Sequence, residues 1–161
     1  MTRPVNIHAS CVRWHGKGIL LLGRSGAGKS DLALRLIAGG AVLVADDRCD
    51  LSIARGTLQV RAPRTIAGKL EVRGLGIVAL PHMAARVALV VDLSAPVERM
   101  PERRTYVPPA PLELRQSAQP LLIALNAFET SAVAKIAASL GLLAAKNPGP
   151  VKRRGAAVKR I

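Results

Sequence analysis

Short apolar runs separated by glycines and charges set the rhythm of this chain. Ile19-Leu20-Leu21-Leu22, Ala41-Val42-Leu43-Val44-Ala45 and Arg86-Val87-Ala88-Leu89-Val90-Val91-Asp92-Leu93 are each the length of a strand. None of them alternates with polar residues, the pattern of strands buried on both faces, and the second is of the kind found in parallel sheets. Leu58-Gln59-Val60-Arg61 does alternate, as a half-buried strand should. Between the first two runs, Asp31-Leu32-Ala33-Leu34-Arg35-Leu36-Ile37-Ala38 is rich in helix formers with an acid in the first turn, and Gly39-Gly40 follows as a stop signal.

These patterns predict strands near 5–13 and 18–23 joined by a hairpin turn at Trp14-His15-Gly16-Lys17-Gly18, then a helix near 29–38 and a strand at 41–45. Short antiparallel strands follow through 49–62, then one strand over about 69–79 and another at 86–93. Pro96 to Pro111 holds four further prolines and mixed charge, which predicts a loop or arm. A helix or strand-helix unit occupies about 121–144, with Ala132 to Ala145 helical in composition. No internal repeat is present.

Candidate chemistry starts where the first apolar run ends. Gly23-Arg24-Ser25-Gly26-Ala27-Gly28-Lys29-Ser30 is a complete G-x-x-x-x-G-K-[ST] phosphate loop, with the strand before it and the helix after it that the motif demands. Its glycines let backbone N–H groups turn inward around phosphate oxygens, Lys29 supplies a point charge, and the Ser30 hydroxyl is placed to ligate Mg²⁺. The following helix adds its N-terminus to the same anion site. The implied ligand is ATP with Mg²⁺.

Asp46 and Asp47 end the strand that follows. Carboxylates there open onto the crevice of the phosphate loop, where a nucleotide with its metal needs acids on Mg²⁺ or as base for the attacking hydroxyl. Successive strand side chains point to opposite faces, so the two aspartates divide the labour unless the strand ends between them. The bland alternative for Asp46-Asp47-Arg48-Cys49-Asp50 is a solvated turn.

The order and spacing of His8-Ala9-Ser10-Cys11-Val12, the loop GRSGAGKS, Val44-Ala45-Asp46-Asp47-Arg48 and Leu70-Glu71-Val72-Arg73-Gly74-Leu75-Gly76-Ile77 resemble the catalytic, C-terminal domain of bacterial HPr kinase/phosphorylase. The resemblance is good over roughly 5–93 and poor beyond, and it implies a short form without the family's regulatory N-terminal domain. The fold it implies is an α/β phosphate-loop domain with a mixed sheet, as in HPr kinase and PEP carboxykinase. By resemblance His8, Lys29 and Asp47 match catalytic positions, with Asp47 taking the serine proton in the forward reaction, and Ser30 and Glu71 match magnesium ligands. Asp46 falls to metal placement. Arg73, two residues from Glu71 on the same predicted strand, shares its face and reaches phosphate oxygens. Without the resemblance, Glu71 and Arg73 read as a cross-strand ion pair and His8 as a polar residue at a strand edge. His15 and His82 gain no role.

The implied activity is ATP-dependent phosphorylation of a serine of the phosphocarrier protein HPr by a cytoplasmic enzyme that assembles as a homo-oligomer, a hexamer in the family. The alternatives are a non-catalytic or repurposed nucleotide-binding module and a kinase of a small metabolite, since a phosphate loop specifies the donor and not the acceptor. The C-terminal half departs from the family: the expected Gly-Arg-Asn turn is absent from Arg115-Gln116-Ser117-Ala118-Gln119-Pro120 and the stretch to Glu129. Arg115 is the one candidate replacement for the family's late arginine, and phosphorylase activity is expected to be weak or absent.

Composition changes this picture little. At 161 residues with 50% apolar side chains, the chain suits one globular domain, assigned to 1–145. The segment 146–161 carries Lys146, Lys152, Arg153, Arg154, Lys159 and Arg160 with no acid, six of the formal net charge of +14, and reads as a disordered basic tail. Trp14, Tyr106 and Phe128 are the only aromatics, too few for a single-strand nucleic-acid binder. No stretch has the length and apolarity of a membrane span or the form of a secretion signal. Cys11 and Cys49 lack metal or redox spacing and read as buried thiols.

Overall fold

The computed structural model describes residues 1–143. In chain order its elements are β1 (Val5–His8), β2 (Ser10–Trp14), β3 (Lys17–Leu22), α1 (Lys29–Ala38), β4 (Val42–Ala45), β5 (Arg48–Ala54), β6 (Thr57–Arg61), β7 (Lys69–Val72), β8 (Gly76–Ala79), β9 (Ala85–Asp92), β10 (Arg104–Thr105), β11 (Leu121–Ala124) and α2 (Ala132–Ser139). The predicted segment 146–161 lies outside the described residues.

Two of the apolar runs make the centre. β3 and β9 are parallel, with Ile19 beside Leu89, Leu20 beside Val90 and Leu21 beside Val91. Both faces of these strands are covered, which is why neither run alternates with polar residues. Leu20 and Val90 join Cys11, Val44, Leu51 and Val60 in one buried cluster. Ile19, Leu21, Leu89 and Val91 join the other, closed by Leu32 and Leu36 of α1 and Ile136 of α2.

Around that centre the sheet is mixed and curls. β11 lies parallel to β9 on the side away from β3, β10 pairs with β11, and the start of β9 turns to meet β6 antiparallel through Ala85 and Arg86. β5 and β6 form the predicted antiparallel pair, with β1 on the outer edge of β5. Helix α1 ends as its glycines demand: Gly40 has φ 104, and its N–H and that of Ala41 donate to Ile37 O and Leu36 O. Its span coincides with the prediction, and the hairpin turn at His15-Gly16 is present with both residues at positive φ, a type I′ turn.

Four sequence expectations need correction. The strand expected over 5–13 breaks at Ala9, because β1 pairs with β5 whereas β2 lies between β3 and β4. β4 is antiparallel to β2 rather than part of a parallel set; burial of both faces gives the same apolar run in either direction. The strand expected over 69–79 is a separate hairpin, β7 against β8, turned at 73–75 with Gly74 at φ 88 and Gly76 at φ 93. The C-terminal helix stops at Ser139, where Gly141 at φ 71 turns the Gly141 and Leu142 N–H groups back to Ala138 O and Ala137 O. The 96–111 loop is present but contains β10.

Candidate active site

The loop from Gly23 to Ser30 opens at the carboxyl end of β3 and delivers the chain into α1. Gly28 caps α1 at φ 94, and a Cβ there would lie 2.8 Å from Ala127 Cβ, so both conformation and space require glycine. No side chain caps the helix, which leaves first-turn N–H groups directed at whatever lies over the loop. Lys29 is buried and donates to Gly23 O at 2.8 Å and Arg24 O at 3.0 Å, using two of its three N–H groups to brace the loop. Burial lowers its pKa from the ordinary lysine value, against the opposing pull of the Asp47 and Asp46 carboxylates.

Asp46 and Asp47 lie between β4 and β5, and one tight turn separates their directions. The Arg48 N–H donates to Asp46 O at 2.8 Å, with Asp47 between them at φ 65, an uncommon conformation for a residue with a Cβ. Asp46 is buried: its Oδ1 accepts the Ser10 hydroxyl at 2.7 Å and the Ser30 hydroxyl at 2.8 Å, and its Oδ2 accepts the Glu71 N–H at 3.3 Å. One carboxylate therefore ties β2, α1 and the β7–β8 hairpin together. Asp47 turns outward, and His8 Nε2 lies 3.1 Å from its Oδ1. The two side chains thus part, Asp46 inward against Ser30 and Asp47 exposed beside His8.

The hairpin supplies the facing wall. Leu70 is fully buried, while Glu71 and Arg73 are exposed on the wall. Arg73 does not share a strand face with Glu71, because it sits in the turn after β7. The cross-strand ion pair does not form either: Glu71 lies opposite Ile77, and neither Glu71 nor Arg73 is in an ion pair among the described residues.

Together these elements enclose a cleft of about 430 Å³, walled by His8, Ser25, Gly26, Gly28, Lys29, Ser30, Asp47, Glu71 and Arg73 of the residues singled out in the sequence. Gly23, Arg24 and Ala27 support the loop from outside this wall, and Asp46 lies behind Ser30. Arg115, His15 and His82 are not on the wall. Two contributors were missed. Ser10 stands in a quoted motif but its bond to Asp46 needs a contact 36 residues away, and Phe128 gave no signal beyond being one of three aromatics. Among the described residues, no group of three or more His, Cys, Asp or Glu side chains is placed to cage a metal; the Ser30 hydroxyl meets the Asp46 carboxylate, and Glu71 lines the same cleft as Ser30. Cys11 and Cys49 are buried free thiols, both pushed up in pKa by burial, in accord with a packing role.

Residues 1–94, more than half of the chain and all of the loop, the aspartate turn and the hairpin, match the sequence model described as the HPr Serine kinase C-terminal domain. The chain belongs to this family. Among its relatives, the HPr kinase/phosphorylase of Clostridium acetobutylicum is 38% identical over 104 residues, which cover 62% of this chain and 34% of that protein. That of Clostridium tetani is 47% identical over 77 residues, 48% of this chain and 25% of that protein. The chain thus spans about a third or less of the curated relatives it matches. The solved structure of the Hpr(Ser) kinase/phosphatase from Coxiella burnetii superposes with a TM-score of 0.66 at 23% identity, over 85% of this chain and 94% of that one, and so shares the curled mixed fold. No helix among the described residues is long and apolar enough to cross a membrane.

Proposed function

We propose that this chain is an ATP-dependent protein serine kinase that phosphorylates HPr in the cytoplasm. The observation that carries the reading is the split of the aspartate pair about the Lys29 loop, with Asp46 on Ser30 and Asp47 free to meet an incoming hydroxyl. In this reading the loop N–H groups, the N-terminus of α1 and Lys29 hold the phosphates. Ser30 and Glu71, both on the cleft wall, would hold Mg²⁺ with Asp46 orienting Ser30, in keeping with an ion that takes few protein ligands and keeps several waters. When bound, the ion supplies charge neutralisation on the phosphate oxygens. Asp47 accepts the proton of the acceptor serine as its oxygen forms the new bond to the γ-phosphorus and the bond to the β–γ bridging oxygen breaks, leaving ADP. His8 orients Asp47, and Arg73 adds positive charge on the hairpin side.

The test is direct. The purified chain with labelled ATP, Mg²⁺ and HPr is expected to place label on a serine of HPr; label on a small molecule, or nucleotide binding without transfer, would overturn the assignment. Lys29→Ala is expected to weaken ATP binding by about ten- to a hundredfold in calorimetry, the loss of one hydrogen bond to a charged group. Undiminished affinity would count against the phosphate-loop reading.

The same reading makes the enzyme lopsided. Phosphorolysis needs inorganic phosphate held for attack on phosphoserine, and the chain lacks the Gly-Arg-Asn turn while Arg115 is off the cleft wall. Kinase activity is therefore expected to exceed phosphate-dependent dephosphorylation by a wide margin. Rapid pyrophosphate release from seryl-phosphorylated HPr in millimolar phosphate would show that another residue anchors the phosphate.

A further inference from the structure

β3 and β11 flank β9 and run parallel to it, so the loops that leave their carboxyl ends face each other across the end of β9. The first is the glycine loop. The second is Asn126-Ala127-Phe128, and it is built to hold one aromatic ring. Ala127 is buried and its carbonyl accepts the guanidinium of Arg35 from α1, while the Phe128 N–H donates to Asn126 Oδ1 at 3.0 Å. The ring this backbone carries is 67% exposed, and its Cζ and Cε1 lie 3.1 and 3.3 Å from where a Gly28 Cβ would be. Of Phe, Tyr and Trp it alone lines the cleft, beside Gly28 of the glycine loop.

We propose that the Phe128 ring is the stacking face for the purine base of the nucleotide. The inference rests on the nucleotide-binding reading above and adds where the base goes. A large apolar ring carried on a hydrogen-bonded turn yet left in water suits a planar ligand, because the backbone is ordered before binding and burial of the ring is still to come. With phosphates over Gly26, Gly28 and Lys29 and a base on Phe128, the acceptor would enter past His8, Asp47 and Arg73, which line the same cleft. Stacking reads the π-face and not the base edge, so ATP and GTP are held through this contact alike.

Calorimetry on the full chain separates the contact from the loop itself, using ATP, GTP and inorganic tripolyphosphate, which carries the phosphates without a base. Phe128→Ala is expected to weaken ATP and GTP about ten- to a hundredfold and leave tripolyphosphate unchanged, while Phe128→Tyr restores nucleotide affinity. Unchanged ATP affinity in Phe128→Ala, including the case where only the KM for HPr rises, overturns the proposal. Equal losses for ATP and tripolyphosphate overturn it as well, since the ring would then act only by propping Gly28. If the unmutated chain binds none of the three probes, the nucleotide-binding reading itself fails and the base site with it.

Discussion

Asp47→Asn is expected to lower phosphoryl transfer to HPr by about 10²- to 10⁴-fold, the usual contribution of a positioned general base, with ATP affinity little changed. The geometry separates the two effects. Asp47 is outward-facing and its one ion pair is with His8, so the amide keeps the size and turn conformation of the residue while removing the proton acceptor. Asparagine also tolerates the left-handed φ of 65 that the turn requires. Asp46→Asn is a different experiment, because Asp46 accepts from Ser10, Ser30 and the Glu71 backbone, and its loss disturbs the loop and the hairpin together. Single-turnover kinetics with saturating ATP separates the two. A wild-type rate for Asp47→Asn would assign the base elsewhere.

Leu89→Ala is expected to destabilise the fold by about 2–5 kcal/mol, the range for large-to-small changes in a close-packed core. Leu89 is fully buried on β9, between Ile19 of β3 and Leu121 of β11, on the face that α1 and α2 cover. A cavity there lies under the strand that joins both halves of the sheet and cannot collapse without moving a helix. Ile77→Ala serves as the comparison: Ile77 is 72% exposed on β8, and its change is expected to stay within about 0.5 kcal/mol. The denaturant midpoints of the two variants measure the difference, and equal midpoints would show that the β3–β9 centre is not the stabilising core.

Both residues belong to apolar stretches that look alike in the sequence, and that likeness marks where local reading stops. Leu70, Leu75 and Ile77 fall within one signature block, yet Leu70 is fully buried and Leu75 is 79% exposed. The block reads as one strand because nothing in a run of side chains says that the ladder ends at Val72; the reversal depends on Gly74 and Gly76 taking positive φ, which glycine permits but does not require. Phe128 was silent for a related reason, since its place on the cleft follows from β11 lying beside β9, a pairing made between segments roughly thirty residues apart.

What the sequence by itself determined is local: the span of α1 with its glycine stop, the hairpin turn at His15-Gly16, the existence of β3, β4 and β9, the loop between β3 and α1, and a turn bearing two carboxylates. Those features depend on side-chain periodicity, on allowed φ and on helix-end chemistry, all of which act within a few residues. The tertiary structure alone decided the antiparallel direction of β4, the break at Ala9, the turning of Asp46 inward to Ser10 and Ser30 while Asp47 meets His8, and the meeting of the 126–128 turn with Gly28. Strand partners and directions are chosen by backbone groups that are the same at almost every residue, so the side-chain pattern can mark a strand as buried without naming its neighbour.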